Sequence, residues 1–315
     1  MKKLELILDE NTAFQPLERV LKNSLGLTKR QISQAKFRET GICINGKKQR
    51  ISYMGTPGEV LTVCLEERSE NTGKVLPQQG ELEILYEDPD ILAVNKPAGM
   101  PCHPGRGHYL DSLGNLVAGL FEKRGEPCPV RIIGRLDKDT SGVVILAKNQ
   151  AAGARLGEQK AKGIFRKEYI GLAQGHLKEP EGRIREPIGK MPGEKLKMQV
   201  TPEGKPADTS YQVLKFLENA TLTRWEIFTG RTHQIRVHMA WLGHSLLGDP
   251  IYGTGENPYF PGLALHCAKA VFLQPFTGEK VVIQAPAKGW SLDLKDWGSQ
   301  NKGIDPEGSS QEYLP

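Results

Sequence analysis

The stretch RIIGRLDKDTSGVVILAKN, residues 131 to 149, sets a polar loop between two apolar, β-branched runs. Val130–Ile133 and Val143–Leu146 read as short buried strands. Between them, Gly134-Arg135-Leu136-Asp137-Lys138-Asp139-Thr140-Ser141-Gly142 is bounded by glycines, which accept backbone angles other residues resist. A loop held between rigid strands is a common seat for catalytic side chains. This one offers the Asp137 carboxylate among Arg135, Lys138, Thr140 and Ser141. Cationic neighbours favour the ionised form, available as nucleophile or base. The same residues would equally make a plain hairpin turn with solvated charges.

Arg-Leu-Asp, followed two residues on by Thr-Ser-Gly, resembles the catalytic motif of the RluA family of RNA pseudouridine synthases. The family usually has His before Arg-Leu-Asp, where this chain has Gly134. The resemblance implies that Asp137 is the essential nucleophile or base. It also implies that Arg135 fills the gap left by a flipped nucleotide, with Leu136 and Thr140 beside the target base.

The rest of the composition is ordinary. The chain has 315 residues, 38% of them hydrophobic and 25% charged, so it can bury a sizeable core. Its net charge of +5 permits an anionic partner without demanding one. No apolar run approaches the ~20 residues of a membrane helix, and MKKLELILDENT is too short in its apolar part for a signal peptide. The cysteines Cys43, Cys64, Cys102, Cys128 and Cys267 are scattered and odd in number, which argues against a disulfide framework or a zinc knuckle. A cytoplasmic protein with no membrane partner is expected.

From Leu17 to Arg50 there are nine Lys plus Arg against two Asp plus Glu. Two short helices split at Ser24-Leu25-Gly26 are expected, the second capped by Thr28. Lys29, Arg30, Lys36 and Arg38 then fall on or near exposed surface. An Asn45-Gly46 turn follows, with Lys47 and Lys48 just after it, and a strand within Pro57–Val63. This order resembles the small αL RNA-binding domain named for a ribosomal small-subunit protein, often fused in front of these synthases. It implies RNA contacts for all six cations, against the plainer reading of a solvated basic face. Glu66–Gly80 is polar and aperiodic and reads as a linker. The expected division is a front domain with its linker over 1–75, a catalytic domain over 76–297, and a disordered tail over 298–315.

Beyond the linker, strands are expected at Leu82–Tyr86 and Ile91–Asn95. Lys96-Pro97-Ala98-Gly99, with His103-Pro104, resembles an early family motif that shapes one wall of the cleft. Helices are expected over Asp111–Arg124 and Asn149–Lys162, and a strand over Lys167–Ala173. Lys167-x-Tyr169 resembles the family motif whose Tyr packs on the target uracil, a contact of about 1–3 kcal/mol. Arg183–Gln199 reads as one hairpin with a basic tip carrying Lys190, Lys195 and Lys197. Ala207–Leu217 and Ala220–Phe228 read as two more strands.

The second informative stretch, Thr229–His244, reads as a helix capped by Thr232, burying Ile235, Met239 and Leu242 and ending at Gly243. It resembles the family segment Gly-Arg-x-His-Gln-Ile-Arg-Val-His. There the second Arg pairs with the catalytic Asp, which places Arg236 beside Asp137 and Ile235 in the uracil pocket. His233 and His238 are one residue too far apart for two ligands on one helical face, so hydrogen-bonded structural roles are expected. Gly248–Gly253 matches the family as a turn. Cys102-His103 has no visible partners for a metal.

Together these readings predict an α+β fold: a mixed, largely antiparallel sheet with flanking helices and a central catalytic cleft, behind a small α/β RNA-binding domain. The activity implied is that of an RNA pseudouridine synthase, an isomerase needing no cofactor or metal. RNA is the partner, ribosomal RNA favoured and transfer RNA open, and a monomer is expected. One alternative is a non-catalytic RNA-binding or ribosome-assembly factor on the same fold, towards which Gly134 leans. Another, a hydrolase using Asp137 and Asp139, finds nothing else in the chain resembling a carbohydrate site.

Overall fold

The computed structural model describes residues 2–65, 75–105, 107–126 and 128–290. The tail expected over 298–315 and the stretch 66–74 of the expected linker lie outside the described residues. Residues 2–65 form β1 (Lys2–Ile7), α1 (Leu17–Asn23), α2 (Lys29–Ala35), β2 (Ile42–Ile44), β3 (Lys47–Lys48) and β4 (Val60–Leu65). The sheet order is β1-β4-β2-β3. Thr28 caps α2 reciprocally: its hydroxyl accepts from the Gln31 N–H at 3.2 Å, and Gln31 Oε1 accepts the Thr28 N–H at 2.8 Å. Asn45 and Gly46, at φ 48° and 77°, make the tight turn between β2 and β3. Strand β1 was not legible in the sequence, because its pairing partner β4 lies more than fifty residues away. Lys29, Arg30, Lys47 and Lys48 are exposed, whereas Lys36 and Arg38 are only half-exposed. The Lys36 ammonium lies 4.8 Å from the centre of the exposed Phe37 ring, and Lys48 pairs with Glu39 at 3.2 Å.

The other described residues build a ten-stranded sheet, a separate two-stranded pair and three helices. Their elements are β5 (Glu83–Glu87), β6 (Ile91–Lys96), α3 (Leu113–Lys123), β7 (Arg131–Ile133), β8 (Ser141–Ala147), α4 (Gln150–Ala161) and β9 (Arg166–Gln174). They continue with β10 (Glu181–Ile184), β11 (Ile188–Lys190), β12 (Met198–Val200), β13 (Thr209–Phe216), β14 (Ala220–Ile227), α5 (Gln234–Trp241), β15 (Leu265–Leu273) and β16 (Lys280–Gln284). The strand path is β10-β13-β14-β9-β15-β8-β6-β5, with β16 on β15 and β7 on β8. Only β15–β8 is parallel among these pairings, so the sheet is mixed and largely antiparallel. Strands β6 and β8 read as continuous apolar runs because both of their faces are covered in the main core.

Two expectations change. Arg183 is not part of a basic hairpin: it lies in β10 on the main sheet and grips Asp208 through Nε and Nη2 at 2.7 and 2.8 Å. The hairpin is the separate pair β11–β12, with the 191–197 segment as its tip. Helix α5 is not capped by Thr232. Its N-cap is His233 in the left-handed region, φ 56°, with no side-chain cap bond.

The N-terminal half of α4 joins the two parts. Ala151 belongs to the core of the front sheet. Arg155 stacks 4.4 Å from the centre of the Phe276 ring and donates to the Pro275 carbonyl at 2.6 Å. A Cβ on Gly26 would stand 3.3 Å from the Arg155 guanidinium, so glycine there allows the close approach.

Candidate active site

The parallel contact between β15 and β8 is two residues long, His266 opposite Ser141 and Cys267 opposite Gly142. It can form only because residue 142 is glycine. The φ there is 111°, and a Cβ would meet the Cys267 carbonyl oxygen at 2.2 Å. In the next register, Cys267 faces Tyr169 on β9. Tyr169, Cys267 and Gly142 therefore lie side by side across three strands, and the 134–142 loop enters β8 at that point.

Above this junction opens a cleft of about 700 Å³. Asp137, Tyr169, Arg236, Arg135, Leu136, Thr140 and Ile235 all line it. Tyr169, Leu136, Thr140, Ile235 and Arg236 are buried, while Arg135 is exposed at the rim. Burial above all, with Cys267 and Asp137 adding, holds the Tyr169 phenol protonated, well above its ordinary range. The six cations assigned to RNA in the front domain do not line this cleft.

Arg236 pairs with Asp137 as expected, but its main partner is a second carboxylate. Its Nε and Nη2 both donate to Asp249, at 2.7 Å each, and that carboxylate is wholly buried. Asp249 also accepts the Ile251 and Tyr252 N–H groups at 2.9 and 3.1 Å. The free edge, Nη1, stands 3.8 Å from Asp137 Oδ2, an ion pair without a hydrogen bond. Burial pushes the Asp249 carboxyl up, but Arg236 and the backbone N–H groups outweigh it and hold it below its usual range. Asp249 was read in the sequence only as part of a turn. The signal that would have found it is the buried charge of Arg236, which needs a full partner.

Lys96 is a second residue whose place the sequence did not reveal. It is fully buried and donates to the carbonyls of Pro97, Met100 and Lys138 at 2.8, 2.8 and 2.9 Å. It thus ties the Pro-Gly wall to the loop that carries Asp137. Burial pushes its ammonium down to about 8, with Cys102, Asp139 and Asp137 pulling the other way. Cys102 supports the same loop: its Sγ accepts the Leu136 N–H at 3.4 Å and donates to the Leu136 carbonyl at 3.2 Å. His238 bonds Thr209 Oγ1 and the Glu186 carbonyl, both at 2.9 Å, and is structural. His233 lines the cleft and bonds the Tyr252 hydroxyl at 2.8 Å. Thr140 Oγ1 is buried and has no hydrogen-bond partner among the described residues, which leaves it available to a ligand in the cleft.

Chemically, the site offers one half-exposed carboxylate beside an anchored guanidinium, over an aromatic floor with apolar walls. This suits nucleophilic attack on, or proton removal from, a ligand with a planar ring. Residues 90–241 match the family model described as RNA pseudouridylate synthase. RNA pseudouridine synthase YhcT of Bacillus subtilis is 37% identical over 93% of this chain and 95% of its own. Ribosomal large subunit pseudouridine synthase D of Escherichia coli K12 is 32% identical over 90% of each chain. Among solved structures, human RNA pseudouridylate synthase domain containing 1 is similar. Its TM-score is 0.54 at 27% identity, over 66% of this chain and 86% of that one.

Proposed function

The chain belongs to the RNA pseudouridine synthase family, and on that premise we propose that it converts uridine to pseudouridine in large-subunit ribosomal RNA at Asp137. The reaction breaks the bond from uracil nitrogen to ribose, turns the base and rejoins it through carbon 5. It is an isomerisation, with no net gain or loss of atoms or electrons. Asp137 acts as nucleophile or base at the sugar. Arg236, clamped by Asp249, steadies that carboxylate from 3.8 Å without engaging it in a hydrogen bond. Tyr169 presents its ring to the uracil, Ile235 and Leu136 close the apolar sides, and Thr140 donates to or accepts from the base or ribose. Arg135, at the exposed rim, fills the stack vacated by the flipped nucleotide and offsets part of its unstacking cost of a few kcal/mol.

The observation that carries this reading is the convergence of all seven side chains on one cleft. Asp137, Tyr169 and Arg236 share the cleft although Gly134 stands where the family has His, which favours the enzyme over a non-catalytic factor. Ribosomal RNA rests on the name of the Escherichia coli relative and on the basic front sheet. The cytoplasm suits the five free thiols. The test incubates wild type and Asp137→Asn with unmodified large-subunit ribosomal RNA and maps new pseudouridine. Sites made by wild type and absent with the variant are expected; none with either protein would end the synthase reading. Deleting residues 1–75 should abolish modification of that RNA, and unchanged modification would remove the front sheet as its reader.

A further inference from the structure

Lys160, at the C-terminal end of α4, projects into the same cleft, yet no carboxylate meets it. Among the described residues it makes no hydrogen bond and no ion pair, and neither does Arg135 across from it. Arg231 also lines the cleft, with its Nε spent on the Pro206 carbonyl at 2.8 Å. Lys167 lies beneath, donating to the Gly134 and Val143 carbonyls at 2.8 and 3.3 Å. None of these four cations has an acidic partner within 4 Å among the described residues. Burial, then the charges of Lys167, Arg135 and Arg231, push the Lys160 ammonium below its ordinary value. Like charges held together without a counter-ion raise the free energy of the empty site, and an entering anion relieves it.

The backbone leaves room for that anion. A Cβ on Gly230 would stand 3.2 Å from Lys160 Nζ, and one on Gly134 would stand 3.7 Å from it. Both positions lack side chains, so the ammonium faces open space at the mouth of the loop carrying Asp137. A nucleotide turned out of its stack brings its flanking phosphodiesters along. The six front-domain cations do not line this cleft.

We propose that Lys160, with Arg231, forms a notch that holds a phosphodiester of the RNA strand immediately beside the nucleotide bound at Asp137. The notch is a positioning device. It fixes where the strand enters, so that the ribose meets Asp137 in register. It rests on the reading of the cleft as an RNA site, and its test can fail separately from that reading.

The test titrates uridine, uridine 3′-monophosphate and uridine 5′-monophosphate into full-length protein by NMR, using wild type, Lys160→Ala and Lys160→Arg. One monophosphate should bind wild type about tenfold more tightly than uridine, one power of ten for a single charge-assisted contact. That preference should vanish in Lys160→Ala and persist in Lys160→Arg. A second readout is binding of a 15-nucleotide oligouridylate from 50 to 200 mM KCl. There Lys160→Ala should flatten the logarithmic salt slope by about 0.7, the share of one phosphate on a single strand. Equal phosphate preference in wild type and Lys160→Ala, or no preference in wild type, overturns the notch. If wild type makes no pseudouridine while the Lys160-dependent preference holds, the synthase reading fails and the phosphate site stands.

Discussion

Asn at position 249 keeps the size of the side chain and removes its charge, which isolates what that charge does for Arg236. Asp249 is wholly buried and accepts four hydrogen bonds, at 2.7, 2.7, 2.9 and 3.1 Å. In Asp249→Asn one oxygen can still take the Ile251 and Tyr252 N–H groups and Arg236 Nη2, but the amide N–H₂ then faces the Arg236 Nε–H donor. Arg236, with its side chain 2% exposed, keeps only Asp137 at 3.8 Å as an anion. Breaking a buried pair from one side costs about 3–5 kcal/mol. At roughly 2–4 °C per kcal/mol for a unit of this size, the midpoint of thermal unfolding should fall by roughly 6–20 °C.

The rate should fall as well. The freed guanidinium turns to Asp137, and a carboxylate held in a direct hydrogen bond is a weaker nucleophile and base. A loss of tenfold or more in kcat, about 1.4 kcal/mol, is expected at 25 °C, well below the lowered midpoint. The assay combines thermal melts at pH 7 with single-turnover pseudouridine formation. It also measures Arg236→Gln and the Arg236→Gln/Asp249→Asn double variant, where removing both charges should restore part of the stability. The Asp249 contribution should be intact at pH 7. With its folded pKa below the ordinary 3.8, it is present above that value and is lost only as pH falls through the lower folded one. If the two single losses add within about 0.5 kcal/mol, the charges do not act as a pair. An unchanged rate in a destabilised Asp249→Asn would refute the orienting role.

Three further outcomes are expected. His266 is buried and bonds Ser141 Oγ at 2.8 Å and the Ala285 carbonyl at 3.1 Å. Burial chiefly pushes it from 6.5 to about 4. The unfolded chain therefore binds its proton first, and wild type should lose about 3 kcal/mol between pH 6.5 and 4. Urea unfolding of His266→Gln over the same range should lack that loss, and parallel curves would disprove it. Gly142→Ala should cost about 3 kcal/mol by forcing β15 away from β8, and a melt within 2 °C of wild type would contradict the close approach. Thr140→Val removes a buried hydroxyl that has no partner among the described residues, so stability should rise by about 1 kcal/mol while turnover drops. A less stable variant would mean that the hydroxyl is already satisfied.

The sequence by itself determined the local elements and the chemistry they carry. Apolar β-branched runs bounding a Gly-flanked loop specify β7, β8 and the loop of Asp137, because period and turn residues act over a few residues. Thr28, Asn45-Gly46 and the break at Ser24-Leu25-Gly26 were legible for the same reason. Motif resemblance named seven of the side chains that line the cleft. Tertiary structure decided what depends on distant partners. Strand β1 exists because β4 completes it, and Arg183 belongs to the sheet because Asp208 and β13 receive it. Arg236 stands off from Asp137 because Asp249, thirteen residues along, takes two of its donors. Lys96 and Lys160 read alike on the page as ordinary lysines. One is enclosed by three carbonyls and the other has no acidic partner within 4 Å among the described residues, and only the folded chain sets those surroundings, because burial and counter-charges come from other strands.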